Sequence, residues 1–155
     1  MTDYILNTIS ISPLSGNKPR QAVILCHGYG GDGKDISVLA NNWKRFLPDA
    51  IFLCPDAPDV CSVNPQGYEW FDLASEKEEI ILEKSLMAEE KLSKFLDQVS
   101  NHFQLEFNNL ALVGFSQGSM ICIQVGLKKD KKINCLIGYS GKIINQKHLS
   151  KNIKS

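Results

Sequence analysis

Short apolar runs punctuate this chain at wide intervals, separated by polar, turn-rich segments. Ala22–Cys26 (AVILC), Ile51–Cys54 (IFLC), Leu110–Val113 (LALV) and Cys135–Gly138 (CLIG) are unbroken. Runs of that length without alternation suit strands covered on both faces, the signature of a parallel sheet. Tyr4–Ile11 (YILNTISI) alternates instead, as a strand with one wet face does. Three segments between the runs carry helical spacing. Lys34–Phe46 stops before Pro48. Glu76–Phe103 places Leu92, Phe95, Leu96, Val99 and Phe103 on one stripe and sets Glu90 four residues before Lys94. Gln117–Leu127 is the third. Pro55–Ala74 contains Pro55, Pro58 and Pro65 and reads as a long surface loop of the kind that borders a site. Strand-helix alternation of this sort predicts an α/β domain with a mostly parallel sheet.

Composition bounds the picture without deciding it. The 155 residues suffice for one domain with a single core. Cys26, Cys54, Cys61, Cys122 and Cys135 are odd in number and lack C-x-x-C spacing, so neither a disulfide framework nor a zinc site is indicated. Four of them sit within apolar runs, where free cysteine acts as a small hydrophobe, and a reducing compartment is expected. The start, MTDYILNTIS, has neither a basic segment nor a long apolar one, and no run is long enough to span a bilayer. The expectation is a cytoplasmic protein. Net charge is zero, yet Lys128–Ser155 holds eight Lys against one Asp, a local +7. The cluster KKDKK follows a predicted helix, where cations complement the C-terminal dipole, so it does not call for nucleic acid.

Two motifs compete for the chemistry. Leu25–Asp35 (LCHGYGGDGKD) contains G-x-G-x-x-G after a strand and before a helix, and Asp56 lies just past the next strand. That arrangement fits a dinucleotide-binding turn, with pyrophosphate at the helix N-terminus and an acid on the ribose. His27, directly before the first glycine, has no part in such a fingerprint. The same loop has a second use, as one half of an oxyanion hole. The other half would come from a nucleophile elbow, and Gly114-Phe115-Ser116-Gln117-Gly118 supplies that pattern between a strand and a helix. Small neighbours two residues either side let a strained serine stand clear of the sheet.

These pieces resemble the phospholipase/carboxylesterase family of α/β-hydrolases, which includes the acyl-protein thioesterases. LCHGYGGDGKD, FLCPDAP (Phe52–Pro58), GYEWFDL (Gly67–Leu73), LVGFSQGSM (Leu112–Met120) and YSG (Tyr139–Gly141) occur in that family's order. The resemblance implies a three-layer α/β-hydrolase sandwich and a small acyl ester or thioester as substrate, cleaved through an acyl-enzyme with no cofactor and no metal. It implies Ser116 as nucleophile, the backbone amides of Tyr29 and Gln117 as oxyanion hole, and His27 as a structural histidine. Trp70 and Asp72 would brace the loop flanking the substrate groove.

The pattern stops after Gly141. In that superfamily the acid and then the histidine follow the serine in chain order. Lys142–Ser155 contains no Asp or Glu, and His148 has neither a preceding glycine nor a strand to position it. The expectation is one incomplete α/β-hydrolase domain over 1–155, with the resemblance ending near 141 and a tail over 142–155. Its sheet would lack the last strands, its catalytic Asp and His would be missing, and the isolated chain would turn over poorly. A non-catalytic remnant that binds a ligand or partner is the alternative. Beside Ile133–Gly138 an apolar patch should lie open, shielded by the tail, a second copy or a complementing chain.

Overall fold

The computed structural model describes residues 3–154. Strands β1 (Thr8–Ile11), β2 (Gln21–Cys26), β3 (Ala50–Pro55), β6 (Leu110–Phe115) and β7 (Cys135–Tyr139) form one sheet in the order β1-β3-β2-β6-β7. All neighbours are parallel except β1, which runs antiparallel to β3 at one edge. β1 is shorter than the alternation predicts, because Tyr4 and Leu6 turn into the core ahead of it. Two more strands, β4 (Asp59–Val60) and β5 (Tyr68–Glu69), make a separate small hairpin.

Helix α1 (Gly33–Trp43) lies on one face of the sheet, and α2 (Glu78–Phe103) with α3 (Gln117–Lys128) on the other. Asp32 caps α1, its side chain accepting from the Asp35 amide. The helix ends three residues before Phe46, where the Trp43 carbonyl takes both Phe46 N–H and Leu47 N–H in a tight turn. The larger core joins the stripe Ile81, Ala88, Leu92, Phe95, Leu96 and Val99 of α2 to Ile121, Cys122 and Val125 of α3 over Ile24, Leu53 and Leu112. The smaller core holds Ile36 and Ala40 of α1 against Val23, Leu25 and Phe52.

The basic cluster is tied down rather than free. Lys128 pairs with Glu89, Lys129 with Asp97 and with the Ser93 carbonyl and hydroxyl, and Lys154 with Asp130. Lys131 lies over the Phe107 ring. The tail is not shapeless either: Gln146–Asn152 forms α4, capped by Asn145 accepting from the His148 amide. Ile144 and Leu149 bury into the α3 side of the molecule. Among the described residues no helix is long and apolar enough to cross a membrane.

On the α1 side the cover stops short. There β6 presents Ala111, Val113 and Phe115, paired in register with Cys135, Ile137 and Tyr139 of β7. Contrary to the expectation that Cys135–Gly138 is covered on both faces, β7 is half-buried at best, and Phe115 and Tyr139 are 51% and 49% exposed. The reason is geometric: α1 reaches only over β1, β3 and β2. An open, mostly apolar groove of about 770 Å³ runs beside Leu39 and Trp43 of α1 along Val113, Phe115 and Tyr139. A second recess continues it past Ala111, Cys135 and Ile137. The tail packs behind α3 and leaves this face open.

This asymmetry predicts unequal mutational costs. Leu112→Ala, on the covered face, should lower unfolding free energy by about 2–5 kcal/mol in urea titrations. Ile137→Ala, on the open face, should cost less than about 1.5 kcal/mol. Equal costs would mean that the face is covered in solution.

Candidate active site

Ser116 stands where β6 ends and α3 begins, at φ 51° and ψ −117°, outside the regions a serine ordinarily adopts. The flanking glycines make that turn sterically feasible. A Cβ on Gly114 would lie 2.4 Å from the Gly118 carbonyl oxygen, and one on Gly118 would lie 2.2 Å from that of Cys26. The turn is closed by Ser116 N–H donating to the Tyr139 carbonyl at 2.8 Å, and by Ser119 and Met120 N–H donating back to the Ser116 carbonyl. No described residue hydrogen-bonds the Ser116 hydroxyl.

The glycine loop runs alongside. A Cβ on Gly28 would sit 3.3 Å from the Ser116 Cβ, so loop and elbow are in contact. The loop is held by the β4–β5 hairpin, since Gly30 N–H donates to the Tyr68 carbonyl and Tyr68 N–H to that of Gly31, at 2.9 and 2.8 Å. The same hairpin holds the elbow. The Gln117 side chain, fully buried, accepts from Trp70 N–H through Oε1 at 2.9 Å and donates to the Phe71 carbonyl through Nε2 at 2.6 Å. The expectation of a surface loop over 55–74 therefore needs correcting. Cys61, Trp70 and Phe71 are buried, because the segment folds inward to brace two other elements.

Trp70 is 0% exposed and donates its indole N–H to the His27 carbonyl at 2.9 Å. It braces from beneath and has no surface to offer a ligand. Asp72 caps the Ala74 amide and pairs with Lys84, which holds its carboxyl below the usual range. Tyr29 and Gln117 keep their main-chain N–H groups without an acceptor among the described residues.

His27 is fully occupied. Its Nε2 accepts from Ala57 N–H at 2.9 Å, so Nδ1 carries the proton and donates to the Gly28 carbonyl at 2.7 Å. Burial pulls its pKa below the ordinary 6.5, against the opposing pull of that carbonyl and of Asp56, Asp32 and Asp35. The neutral ring is a structural pin with no lone pair left for Ser116. His102 packs against Tyr4 and Phe103, and His148 lies on α4. The neighbouring thiol of Cys26 is pushed up by burial and by Cys122 beside it, so it makes no competing nucleophile.

The dinucleotide alternative meets an obstacle at the N-terminus of α1. Asp56 accepts from Gly33 N–H at 2.8 Å and is also bonded to the Asn7 side chain. With the Asp32 cap, two carboxylates occupy the place a pyrophosphate would need. Among the described residues no cluster of His, Cys, Asp or Glu is arranged to hold a metal.

The sequence profile of phospholipases/carboxylesterases matches residues 10–155. The chain belongs to the phospholipase/carboxylesterase family. Family relatives include acyl-protein thioesterase 1 of Schizosaccharomyces pombe, 28% identical over 145 residues, covering 88% of this chain and 61% of that protein. Acyl-protein thioesterase 1 of Candida albicans is 27% identical over 138 residues, covering 83% and 60%. The chain thus spans about three-fifths of the thioesterases it matches. The crystal structure of esterase PE8 superposes with a TM-score of 0.91 at 36% identity, covering 97% of this chain and 70% of that one. A Bacillus cereus carboxylesterase superposes at 0.71 with 17% identity, over 91% and 62%, a likeness of fold. The fold is that of the α/β-hydrolases, as the family resemblance implied.

Sequence reasoning found the elbow and the loop but missed the hairpin that clamps them. Two signals were present, the uncharged Gln117 inside the elbow and the aromatic pair Trp70-Phe71 in a proline-rich segment.

Two measurements test this architecture. Gln117→Leu strands a buried N–H and C=O on 70–71 and should cost about 1–3 kcal/mol for each group, read by urea titration. His27 gives a pH signature. Below pH 6.5 the unfolded chain takes a proton that the folded ring resists, so this contribution, present above 6.5, is lost as pH falls toward the lower folded value. The urea midpoint should drop from about pH 7 to about pH 5, and His27→Gln should flatten that drop.

Proposed function

We propose that the chain provides the nucleophile and oxyanion hole of a serine esterase or thioesterase that cleaves small acyl esters or thioesters through an acyl-enzyme. The observation that carries the reading is Ser116 held at positive φ against a loop whose Tyr29 amide, like that of Gln117, has no acceptor. Ser116 Oγ attacks the acyl carbonyl carbon while the two amides stabilise the negative oxygen, each donor contributing about 3 kcal/mol when well aimed. The hydroxyl proton passes to a base and from it to the departing alkoxide or thiolate. Water then hydrolyses the acyl-enzyme by the same route in reverse.

The proposed base is an imidazole from polypeptide outside residues 3–154, joined to this chain or separate. Three features support that source: the free hydroxyl of Ser116, the unpaired outer edge of β7, and the open apolar face of β6 and β7. Such a segment would add a strand to β7 and cover the groove, while a second copy would cover the face without supplying the base. The setting proposed is the reducing cytoplasm, in keeping with five free cysteines.

Hydrolysis of p-nitrophenyl butyrate and labelling by a fluorophosphonate test the proposal. The 155-residue chain should hydrolyse slowly, about 10³–10⁴-fold above water, as enzymes lacking a triad member do. Added imidazole should accelerate it. Ser116→Ala should abolish labelling and the imidazole-dependent gain. A chain that is never labelled, with or without imidazole, would favour the non-catalytic remnant.

A further inference from the structure

Tyr29 is the weakly anchored member of the oxyanion loop, since glycine stands on both sides of it and Gly30 sits at φ 76°. Its main chain is fixed only through its neighbours. Its side chain, however, is tethered. The Tyr29 hydroxyl lies 2.8 Å from Ser62 Oγ. Ser62 in turn donates twice to one oxygen of Glu69, through its N–H at 2.9 Å and its hydroxyl at 3.2 Å. A serine hydroxyl has one proton. With that proton on Glu69, Tyr29 must be the donor to Ser62, so the chain has one polarity, from Tyr29 through Ser62 to the Glu69 carboxylate.

Glu69 is only 6% exposed and sits on β5, one residue from the Tyr68 pairing that holds Gly30 and Gly31. Burying a carboxylate is costly unless hydrogen bonds compensate, and bonds to a charged acceptor are about twice as strong as neutral ones. A tie of that strength between β5 and the ring of residue 29 fixes the side-chain torsion of Tyr29. With glycines on either side, it thereby fixes the orientation of the Gly28–Tyr29 peptide plane. We infer that Glu69, acting through Ser62, is a positioning residue that aims the Tyr29 amide at the oxyanion. The inference rests on the proposed role of that amide.

The test measures the second-order rate of Ser116 phosphonylation, with imidazole present, beside the melting temperature and the ¹⁵N order parameter of the Tyr29 amide. Tyr29→Phe, Ser62→Ala and Glu69→Gln should each slow phosphonylation about tenfold, as expected for one misaimed donor. The double variant Tyr29→Phe/Glu69→Gln should be no slower than the slower single, because both cut one chain. Ser62→Thr, which keeps a hydroxyl, should stay within about twofold of the parent. The order parameter should fall from about 0.85 toward about 0.6 in the three disrupting variants. Parent rates in Tyr29→Phe, or losses that multiply in the double variant, would overturn the inference. If the parent is not labelled at all, the proposed function fails while the order parameter still decides the tether. An amide equally rigid in all variants refutes it.

Discussion

One buried primary amide joins the two halves of this site. The Gln117 side chain makes one bond to the main chain of Trp70 and another to that of Phe71, 47 and 46 residues away in sequence. Because Gln117 follows Ser116 directly, that pair of bonds fixes the elbow relative to segment 59–71. The same segment holds the glycine loop through Tyr68 and the end of β2 through the Trp70 indole. Elbow and loop are aligned by a third element that touches both. A carboxylate in place of the amide could accept from Trp70 but could not donate to Phe71, which is why this position needs a group that does both.

What could be read in advance divides along physical lines. β2, β3 and β6 are legible because strands buried on two faces must be continuously apolar, and the elbow because steric exclusion at Gly114 and Gly118 leaves a fixed spacing. The hairpin is not legible. Its strands are two residues each, too short for any period, and its purpose lies in contacts to distant segments. α4 escaped notice for a similar reason: seven residues with one buried leucine carry no amphipathic signal. The half-open state of β7 could not be read from CLIG either, since a strand's own residues do not record what lies above them.

If the proposed function holds, residues 3–154 separate two tasks that hydrolases of this kind combine. The part that binds developing charge is built from main-chain groups locked by sheet, hairpin and elbow, with almost no freedom to reorganise. The part that moves protons needs a titratable ring whose position depends on packing against β6 and β7. The first is set by backbone geometry and the second by cover. His27 shows the same division, since its imidazole is spent entirely on holding backbone in place.

The strand order has a further consequence for how such a molecule comes into being. β2 bonds along one side to β3, close in sequence, but along the other to β6, where Ala22 meets Leu110. During synthesis, therefore, β2 leaves the ribosome long before the neighbour that satisfies its second row of peptide groups. Over that interval a fully apolar ribbon waits with one margin unclaimed, a template for wrong partners. Nascent chains of this protein depend on a chaperone, or on rapid elongation, through the stretch that encodes α2.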